Sequence, residues 1–334
     1  MGKKLLLDYG SGGRASHRLI AEMFVKHLGN EILNVLDDAA RLEIDGPIAM
    51  STDSYIVDPI FFPGGDIGSL AVHGTVNDVA MLGAEPKYVS CGLILEEGLD
   101  MDDLERIVAS MGRAASEAGV LIVTGDTKVA PRGTVDKIFI NTTGVGRIVK
   151  NPAPSGHRAR PGDAVLVSGT MGDHGVTILS TRQGLSFEAP VTSDSASLNH
   201  LIARILAAVP DVHVLRDPTR GGLATTLNEI AEQSGAGCFL EEGAIPVRPA
   251  VSGACAALGL DPLYLANEGK FICIVPEKDA ETALAIMRAD PLGADAARIG
   301  EIREEHAGKV VLVTGLGGKR LLSMLEGEQL PRIC

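Results

Sequence analysis

The sequence predicts an α+β protein of two domains, in the α/β-type arrangement where strand-rich stretches alternate with amphipathic helices. Its 334 residues are enough for two domains of roughly 100–200 residues, each with a core of its own. The hydrophobic fraction of 45% and the charged fraction of 22% are ordinary for a folded protein. Turn-forming residues at 151–162 separate two strand-rich stretches. We therefore expect an N-terminal mixed-sheet domain at residues 1–152 and a C-terminal α/β domain at residues 153–326.

The first domain is predicted to contain two helices and at least three strands. Residues 14–28 and 102–118 each place apolar side chains on one helical face. Gly29 and Gly119 follow these segments directly, and glycine is a common residue at a helix end. Strand composition is found at residues 47–57, 87–95 and 138–149.

The second domain repeats this alternation. Strands are predicted at residues 164–168 and 271–275, and helices at residues 198–209 and 223–233. Helices interleave with strands in both halves, and this order indicates an α/β or α+β class.

Composition excludes several classes of function. The 30 Lys and Arg against 43 Asp and Glu give a net charge of −13, and there is no Trp. A nucleic-acid-binding protein is not expected, because it needs basic surface and stacking aromatics. No apolar run reaches the roughly 18 residues of a membrane span, and the N-terminus does not resemble a signal peptide, so we expect a cytoplasmic protein without membrane contact. Five cysteines without a CxxC pair indicate reduced thiols, with neither a disulfide framework nor a zinc site.

A glycine-rich segment of four residues precedes the first predicted helix. Backbone N–H groups at a helix N-terminus can bind an anion, which makes this segment a candidate phosphate loop. It matches neither the dinucleotide-binding nor the P-loop spacing, so a plain turn remains an equal alternative. The residues concerned are Gly10, Ser11, Gly12 and Gly13.

Aspartates stand at the ends of several apolar stretches. The ends of strands gather at one rim of a sheet, so these carboxylates are expected to converge and to need a compensating cation. Ligands that are all oxygen suit Mg²⁺, which also bridges to phosphate oxygens. For each aspartate alone, a turn or helix-cap role is the more common alternative. The candidates are the adjacent pair Asp37-Asp38 and the single residues Asp53, Asp78 and Asp126.

Two polar segments of the second half add charged residues. Arg220 lies in a polar turn at residues 216–222, and Lys270 ends the run Asn267-Glu268-Gly269-Lys270 before a predicted strand. Either cation could balance phosphate charge, and either could equally be an ordinary surface residue. Together with the aspartates they indicate a two-domain enzyme that uses a magnesium-bound nucleotide.

Nine segments spread along the chain together carry a resemblance to a known family. They are residues 10–13, 37–40, 51–54, 58–65, 71–78, 125–128, 216–222, 267–270 and the terminal Pro-Arg-Ile-Cys at 331–334. On these segments the chain resembles, essentially end to end, the HypE family of hydrogenase maturation proteins. That family belongs to the superfamily of aminoimidazole ribonucleotide synthetase, thiamine-monophosphate kinase and selenophosphate synthetase. The aspartate motifs are shared by the whole superfamily, whereas the terminal Pro-Arg-Ile-Cys is specific to the family.

The resemblance implies an ATP site at the interface of a homodimer formed by the N-terminal domains. It implies that Asp38, Asp53, Asp78 and Asp126 hold Mg²⁺ and the triphosphate. It further implies that the nucleotide is bound by the glycine-rich segment and by Ser51, Thr52, Asn77 and Arg220.

The resemblance also implies a reaction on the terminal Cys334. A carbamoyltransferase, HypF, would load this thiol as a thiocarbamate, and ATP would drive dehydration to a thiocyanate. The cyano group would then pass to the HypC–HypD complex as a ligand for the iron of [NiFe] hydrogenase. Lys128 would spread the transition-state charge, and Glu268 is the candidate base, ahead of Asp78 and Asp126.

A carrier thiol must visit several sites, and chain termini provide such mobility. Gly327 and Pro331 accordingly favour a mobile tail at residues 327–334. The alternative enzyme is a selenophosphate-synthetase-like or small-molecule kinase activity on the same scaffold, although the glycine-rich segment has no reactive thiol. An alternative of another class is a nucleotide-sensing scaffold without chemistry, which would need no carrier thiol.

Overall fold

The protein is described by a computed structural model that covers residues 3–11, 13–37, 39–185, 190–327 and 330–334. Its α-helices are α1 (Arg14–Leu19), α2 (Val25–Leu28), α3 (Ile67–Met81), α4 (Met101–Ala118), α5 (Asp173–Gln183), α6 (Asn199–Ala208), α7 (Gly222–Ser234), α8 (Pro249–Leu258) and α9 (Ala280–Arg288). Its strands are β1 (Ile48–Tyr55), β2 (Phe61–Phe62), β3 (Gly65–Asp66), β4 (Ala84–Glu96), β5 (Leu121–Ala130), β6 (Ile138–Ile148), β7 (Asp163–Val167), β8 (Val214–Arg216), β9 (Gly237–Glu241), β10 (Ile272–Pro276), β11 (Ala297–Arg303), β12 (Val310–Val313) and β13 (Lys319–Leu322).

The first sheet has four strands in the order β1-β6-β4-β5. The pairs β1–β6 and β6–β4 are antiparallel, and β4–β5 is parallel, so the sheet is mixed as predicted. Helix α3 packs against β1, β4 and β6 as well as α4, and buries almost its whole length. The opposite face of the sheet carries apolar side chains that stay exposed: Ile48 by 53%, Met50 by 68% and Ile94 by 44%.

The second sheet has seven strands in the order β13-β12-β9-β11-β7-β10-β8, with helices on both faces. The side chains of β7 alternate between two cores, with Val165 and Val167 on one side and Ala164 and Leu166 on the other. Helix α7 covers the first core, and α6 and α9 cover the second. Strand β7 is therefore buried on both faces, which explains its continuous apolar sequence.

The predicted elements are confirmed, with limits that shift by a few residues. The segment predicted as one helix at 14–28 consists of α1, a π-helical turn at Ile20–Phe24, and α2. Gly29 follows it without a left-handed conformation. Here glycine is required for space, because a Cβ would clash with the carbonyl oxygen of Val25. Gly119 does end α4 in the left-handed conformation, with φ of 71°.

The thiols also agree with the prediction. Cys91, Cys238, Cys255 and Cys273 are buried, and none of the five cysteines forms a disulfide. Across the described ranges, no helix is both long and apolar enough to cross a bilayer.

Candidate functional site

Two predicted aspartates meet where β1 lies over α3. Asp53 points inward from β1, and Asp78 lies near the C-terminal end of α3, where it accepts a hydrogen bond of 2.6 Å from the Ser51 hydroxyl. Burial, the charge of Asp78 and a hydrogen bond with Asp78 raise the pKa of Asp53 to about 7, against a smaller opposing effect of Arg220. The two carboxylates therefore repel each other, and a cation or a shared proton stabilises them.

Two acidic residues of the second half complete this group, which we call the acidic cluster (Asp53, Asp78, Asp217 and Glu268). Burial, followed by the charge of Asp78, raises the pKa of Asp217 to about 7. Burial and the charges of nearby aspartates raise the pKa of Glu268 well above its usual range. Glu268 is 4% exposed, and its Oε1 has no hydrogen-bond partner among the described residues. A buried, unpartnered carboxylate oxygen of this kind points to a reacting group or ligand.

The loop that carries Glu268 is fixed by buried polar contacts. The Asp194 carboxylate accepts hydrogen bonds from the main-chain nitrogens of Glu268 (3.1 Å) and Gly269 (3.2 Å), and its Oδ2 lies 3.7 Å from the Lys270 Nζ. The Asn267 side chain accepts from the nitrogen of Gly172 and donates to the carbonyl of Pro218. Lys270 is therefore a buried, paired residue, whereas Arg220 is exposed.

The end of the chain lies against the acidic cluster. Cys334 is partly buried, and it lines a cavity of about 330 Å³ together with Ser54, Ile56, Arg220 and Tyr264. Burial and the neighbouring Glu268 raise the pKa of its thiol to about 12, against a lowering effect of Arg220. The docked thiol is therefore protonated at neutral pH, whereas the thiolate is the nucleophilic form of cysteine.

The glycine-rich segment lies at the opposite edge of the first sheet. It follows a 3₁₀ turn at Leu7–Gly10 that packs against β5. A Cβ on Gly10 would lie only 2.5 Å from the Val129 nitrogen, so glycine is needed for this close approach. Gly10, Asp126 and Lys128 line a second cavity of about 370 Å³ with a largely apolar floor. The Lys128 Nζ pairs with an Asp126 carboxylate oxygen at 3.0 Å.

Of the predicted metal ligands that the structure describes, Asp53 and Asp126 do not converge within one chain. Asp126 on β5 pairs with Gly92 on β4, Gly92 pairs with Asn141 on β6, and Asn141 pairs with Ser54 on β1. Asp126 is therefore level with Ser54, but the two residues lie three strand spacings, or about 14 Å, apart. Side chains in register share a face, and Asp53 is the next residue along β1, so Asp53 and Asp126 point to opposite faces. Among the described residues, no three Asp, Glu, His or Cys side chains are placed to hold a metal ion. The expectation that strand ends bring these aspartates together thus holds for Asp53 and Asp78 and is wrong for Asp126 within one protomer.

The other predicted nucleotide-binding residues occupy different surroundings. Ser51 faces the acidic cluster, but Thr52 lies on the exposed face of the sheet beside Thr143. The side-chain amide of Asn77 is hydrogen-bonded to main-chain groups: its oxygen accepts from the Leu198 nitrogen (2.8 Å), and its nitrogen donates to the Ala196 carbonyl (3.0 Å). Its observed role is to join the two halves of the molecule. Gly12 and Asp38 lie outside the described residues.

Sequence reasoning missed several residues of the site. Asp217 had a signal, since it stands in the same polar turn as Arg220. No sequence pattern marks His174, Arg182 or Asp194, because these residues reach the site only through tertiary contacts. His73, which belongs to the segment at residues 71–78, is a structural residue: it is 8% exposed, and its Nδ1 lies 3.0 Å from the Ser195 hydroxyl.

Comparison with protein families gives two matches that together span most of the chain. Residues 36–148 match the N-terminal domain of AIR synthase related proteins. Residues 160–313 match the C-terminal domain of the same proteins.

Individual relatives agree with this result. The carbamoyl dehydratase HypE of Azotobacter vinelandii is 57% identical over 327 residues, which are 98% of this chain and 96% of the relative. A crystal structure of hydrogenase maturation protein HypE in complex with ATP superposes with a TM-score of 0.97 at 69% identity, over 99% of this chain and 100% of the other. The crystal structure of a HypE–HypF complex superposes with a TM-score of 0.81 at 47% identity, over 92% and 99% of the two chains.

Proposed function

The chain belongs to the AIR synthase related family and, within it, to the HypE carbamoyl dehydratases, and from this premise we propose which residues perform the reaction. The proposed reaction is the ATP-dependent dehydration of an S-carbamoyl group on Cys334 to a thiocyanate. The product would supply the cyanide ligands of the [NiFe] hydrogenase iron. The observation that carries the proposal is the position of Cys334, which lines a cavity beside Arg220 and lies close enough to Glu268 for that carboxylate to affect its pKa.

The chemistry requires activation of a poor leaving group. Transfer of the terminal phosphoryl group of ATP to the carbamoyl oxygen makes that oxygen part of a phosphate leaving group. Breaking the C–O bond then releases phosphate, and two protons leave the nitrogen as C≡N forms. Arg220 is exposed beside the cavity and is suited to bind the anionic oxygens.

Glu268 is the proposed base for the nitrogen protons. Its carboxylate is buried, one oxygen is free of partners in the described structure, and its main chain is held by Asp194. A raised pKa makes the ionised form a stronger base, which general base catalysis requires. Asp53 and Asp78 are less suited to this role, because they are the proposed metal ligands.

The acidic cluster fits a magnesium ion. Asp53 and Asp78 present only oxygen atoms, and their mutual repulsion is what a hard cation relieves. A bound Mg²⁺ supplies charge neutralisation for the triphosphate. Asp53 and Asp78 would hold it from this chain.

A homodimer would reunite the separated parts of the nucleotide site. Asp126, Lys128 and the glycine-rich segment lie at the β5 edge, while the acidic cluster lies at the β1 edge. The exposed apolar residues Ile48, Met50 and Ile94 lie on the sheet face to which Asp126 points. We propose that two such faces pack together, so that each site combines the acidic cluster of one protomer with the β5 edge of its partner.

The proposed partners follow from membership of the HypE family. A carbamoyltransferase of the HypF kind would load Cys334, and a HypC–HypD complex would accept the cyano group. A solved complex of a relative with HypF supports the first of these partners.

Intact-mass spectrometry of the full chain tests the proposal. The protein is incubated with its carbamoyltransferase, carbamoyl phosphate, ATP and Mg²⁺. Wild type should gain one carbamoyl group and then lose one water only when ATP is present. Cys334→Ala should gain nothing, and Cys255→Ala, a variant of a buried thiol on α8, should behave as wild type.

The alternative outcome is equally specific. If Cys334 gains no carbamoyl group while the transferase is active on a known acceptor, the dehydratase proposal is wrong. The kinase alternative then predicts that Cys334→Ala still transfers phosphate from ATP to a small acceptor.

A further inference from the structure

The last residues of the chain lie beside the segment that follows β1, in the manner of an added strand. The Asp58 nitrogen donates to the Arg332 carbonyl at 3.2 Å, and the Ile56 nitrogen donates to the Cys334 carbonyl at 3.0 Å. Contacts at every second residue on both sides are the pattern of strand pairing. This pairing sets the register of the tail, and therefore the distance of Cys334 from the acidic cluster.

Arg182, near the C-terminal end of α5, joins the tail to the same segment. Its Nη1 donates to the Pro331 carbonyl (2.7 Å), and its Nη2 donates to the Arg332 carbonyl (2.8 Å). Nε and Nη2 also donate to the Asp58 carbonyl, at 2.8 Å and 2.6 Å. One guanidinium therefore bridges both strands of the pairing, a geometry that only the planar fork of arginine allows.

His174, at the start of α5, holds the next residue. Its Nε2 lies 2.8 Å from the Ile333 carbonyl, and its Nδ1 lies 2.8 Å from the Ser193 hydroxyl. Because a carbonyl can only accept, Nε2 carries a hydrogen. Burial lowers the pKa of His174 and keeps the ring neutral, so Nδ1 accepts from Ser193. The ring is fully buried and packs edge-to-face against the Phe62 ring, with 5.6 Å between the two ring centres.

Two side chains of the tail add specific contacts. The Arg332 Nη1 pairs with the Asp136 Oδ2 at 2.5 Å, and its Nε donates to the Ile56 carbonyl at 2.9 Å. The Ile333 side chain is 8% exposed and belongs to the core of the first domain. These contacts hold the tail in one register, while none of them involves the Cys334 sulfur.

We propose that Arg182 and His174 are positioning residues that bind the main chain of residues 331–333 and thereby place Cys334 at the acidic cluster. Neither residue touches the thiol. Their role in the reaction rests on the proposed dehydratase function. Their role in docking does not, and it can be measured without ATP or a partner protein.

The first experiment measures access to Cys334 by iodoacetamide labelling of the full-length protein, followed by intact mass. Arg182→Ala removes the bridge, and labelling should be at least tenfold faster than in wild type, since hydrogen bonds to a charged group are lost. Arg182→Lys keeps the charge without the fork and should be intermediate. Arg204→Ala, which removes an arginine paired with Asp290 away from the tail, should label at the wild-type rate.

A second variant guards against local misfolding around Arg182. Asp136→Asn weakens the same docking from the other side of the tail and should also speed labelling. Wild-type labelling rates in both Arg182→Ala and Asp136→Asn would overturn the proposal.

The reaction steps provide a readout that a merely structural role would not produce. Loading of Cys334 by the transferase needs an undocked tail, so Arg182→Ala should be loaded at least as fast as wild type. Dehydration needs the docked tail, so the same variant should dehydrate at least tenfold more slowly. A parallel loss in both steps would instead indicate general destabilisation and would refute a positioning role.

Discussion

Asp53 and Asp126 belong to the same four-stranded sheet, but their side chains point to opposite faces, and their strands lie three strand spacings, or about 14 Å, apart. No side-chain rotation can bring both carboxylates to one ion within a single chain. If both serve one nucleotide site, that site must be shared between two protomers.

Mixing two inactive variants tests this sharing. A heterodimer of Asp53→Asn and Asp126→Asn keeps one site intact and carries both substitutions in the other. With random pairing, about a quarter of the wild-type dehydratase activity should return, because half of the dimers are heterodimers with one good site each.

A matched mixture provides the control for this experiment. Asp53 and Asp78 lie together in one protomer, so Asp53→Asn mixed with Asp78→Asn should recover nothing. Absence of recovery in both mixtures would contradict a shared site.

Removal of the like-charge pair should stabilise the metal-free protein. In EDTA, Asp53→Asn should raise the free energy of unfolding by about 1–2 kcal/mol, since solvent screens part of the repulsion at this partly buried site. In excess MgCl₂, wild type should gain thermal stability, and the variant should gain much less. Thermal denaturation under both conditions measures this, and Asp295→Asn, an exposed aspartate of the second half, should respond as wild type. An equal magnesium response in all three proteins would speak against a metal site at Asp53.

Glu268→Gln should separate catalysis from loading. Loss of the base should slow ATP-dependent dehydration by about 10²-fold or more, while carbamoylation of Cys334 continues. Single-turnover mass spectrometry distinguishes the two steps. Unchanged dehydration would assign the base to another residue.

The same variant should change the pH dependence of stability. Since burial raises the pKa of Glu268 in the folded state, the folded protein binds more protons than the unfolded chain above the ordinary glutamate pKa. The stability of wild type therefore falls as pH rises, by up to about 1.4 kcal/mol per pH unit for one such group. Glu268→Gln lacks this titrating group, so its free energy of unfolding relative to that of wild type should increase from pH 5 to pH 8. Urea denaturation at several pH values measures this difference.

Two glycines of one segment should respond differently to the same change. Gly10→Ala places a Cβ only 2.5 Å from the Val129 nitrogen and should destabilise the protein by about 1–3 kcal/mol. It should also weaken ATP binding, because the segment would move away from β5. Gly13→Ala meets only the Ser11 hydroxyl at 3.6 Å, so its stability should stay near that of wild type. Urea denaturation and nucleotide titration measure both effects, and equal behaviour of the two variants would refute the packing argument.

The elements that the sequence predicted correctly are those with a local signal. The amphipathic pattern of residues 102–118 correctly predicted α4. Gly119 ends this helix in a left-handed conformation, which glycine adopts easily because it has no Cβ. Strand β7 was recognisable because burial on both faces demands a continuous apolar run. The helix at 14–28 was also found, but its π-helical turn was not, since a single inserted residue leaves the apolar pattern nearly unchanged.

The candidate site was predicted less completely. Asp53 and Asp78 were found because carboxylates at element ends are visible in the sequence. Asp126 was wrongly expected to join them, because the expectation considered only where strands end and not the face of the sheet to which each side chain points. Arg182 could not be found, because a helical arginine looks the same whether it faces water or binds a carbonyl.

The order of the amino acids alone revealed which kinds of chemistry this protein has: oxygen ligands for a hard cation, a glycine-rich segment, and a thiol at Cys334. It did so because side-chain identity and local periodicity are properties of neighbouring residues. The grouping of these residues follows from the three-dimensional fold, which puts Asp217 and Glu268 beside Asp53, and Asp126 on the other face of the first sheet. The fold also placed Cys334 against the acidic cluster through main-chain pairing with Ile56 and Asp58. These relations depend on strand order and register across long stretches of chain, and no local pattern encodes them.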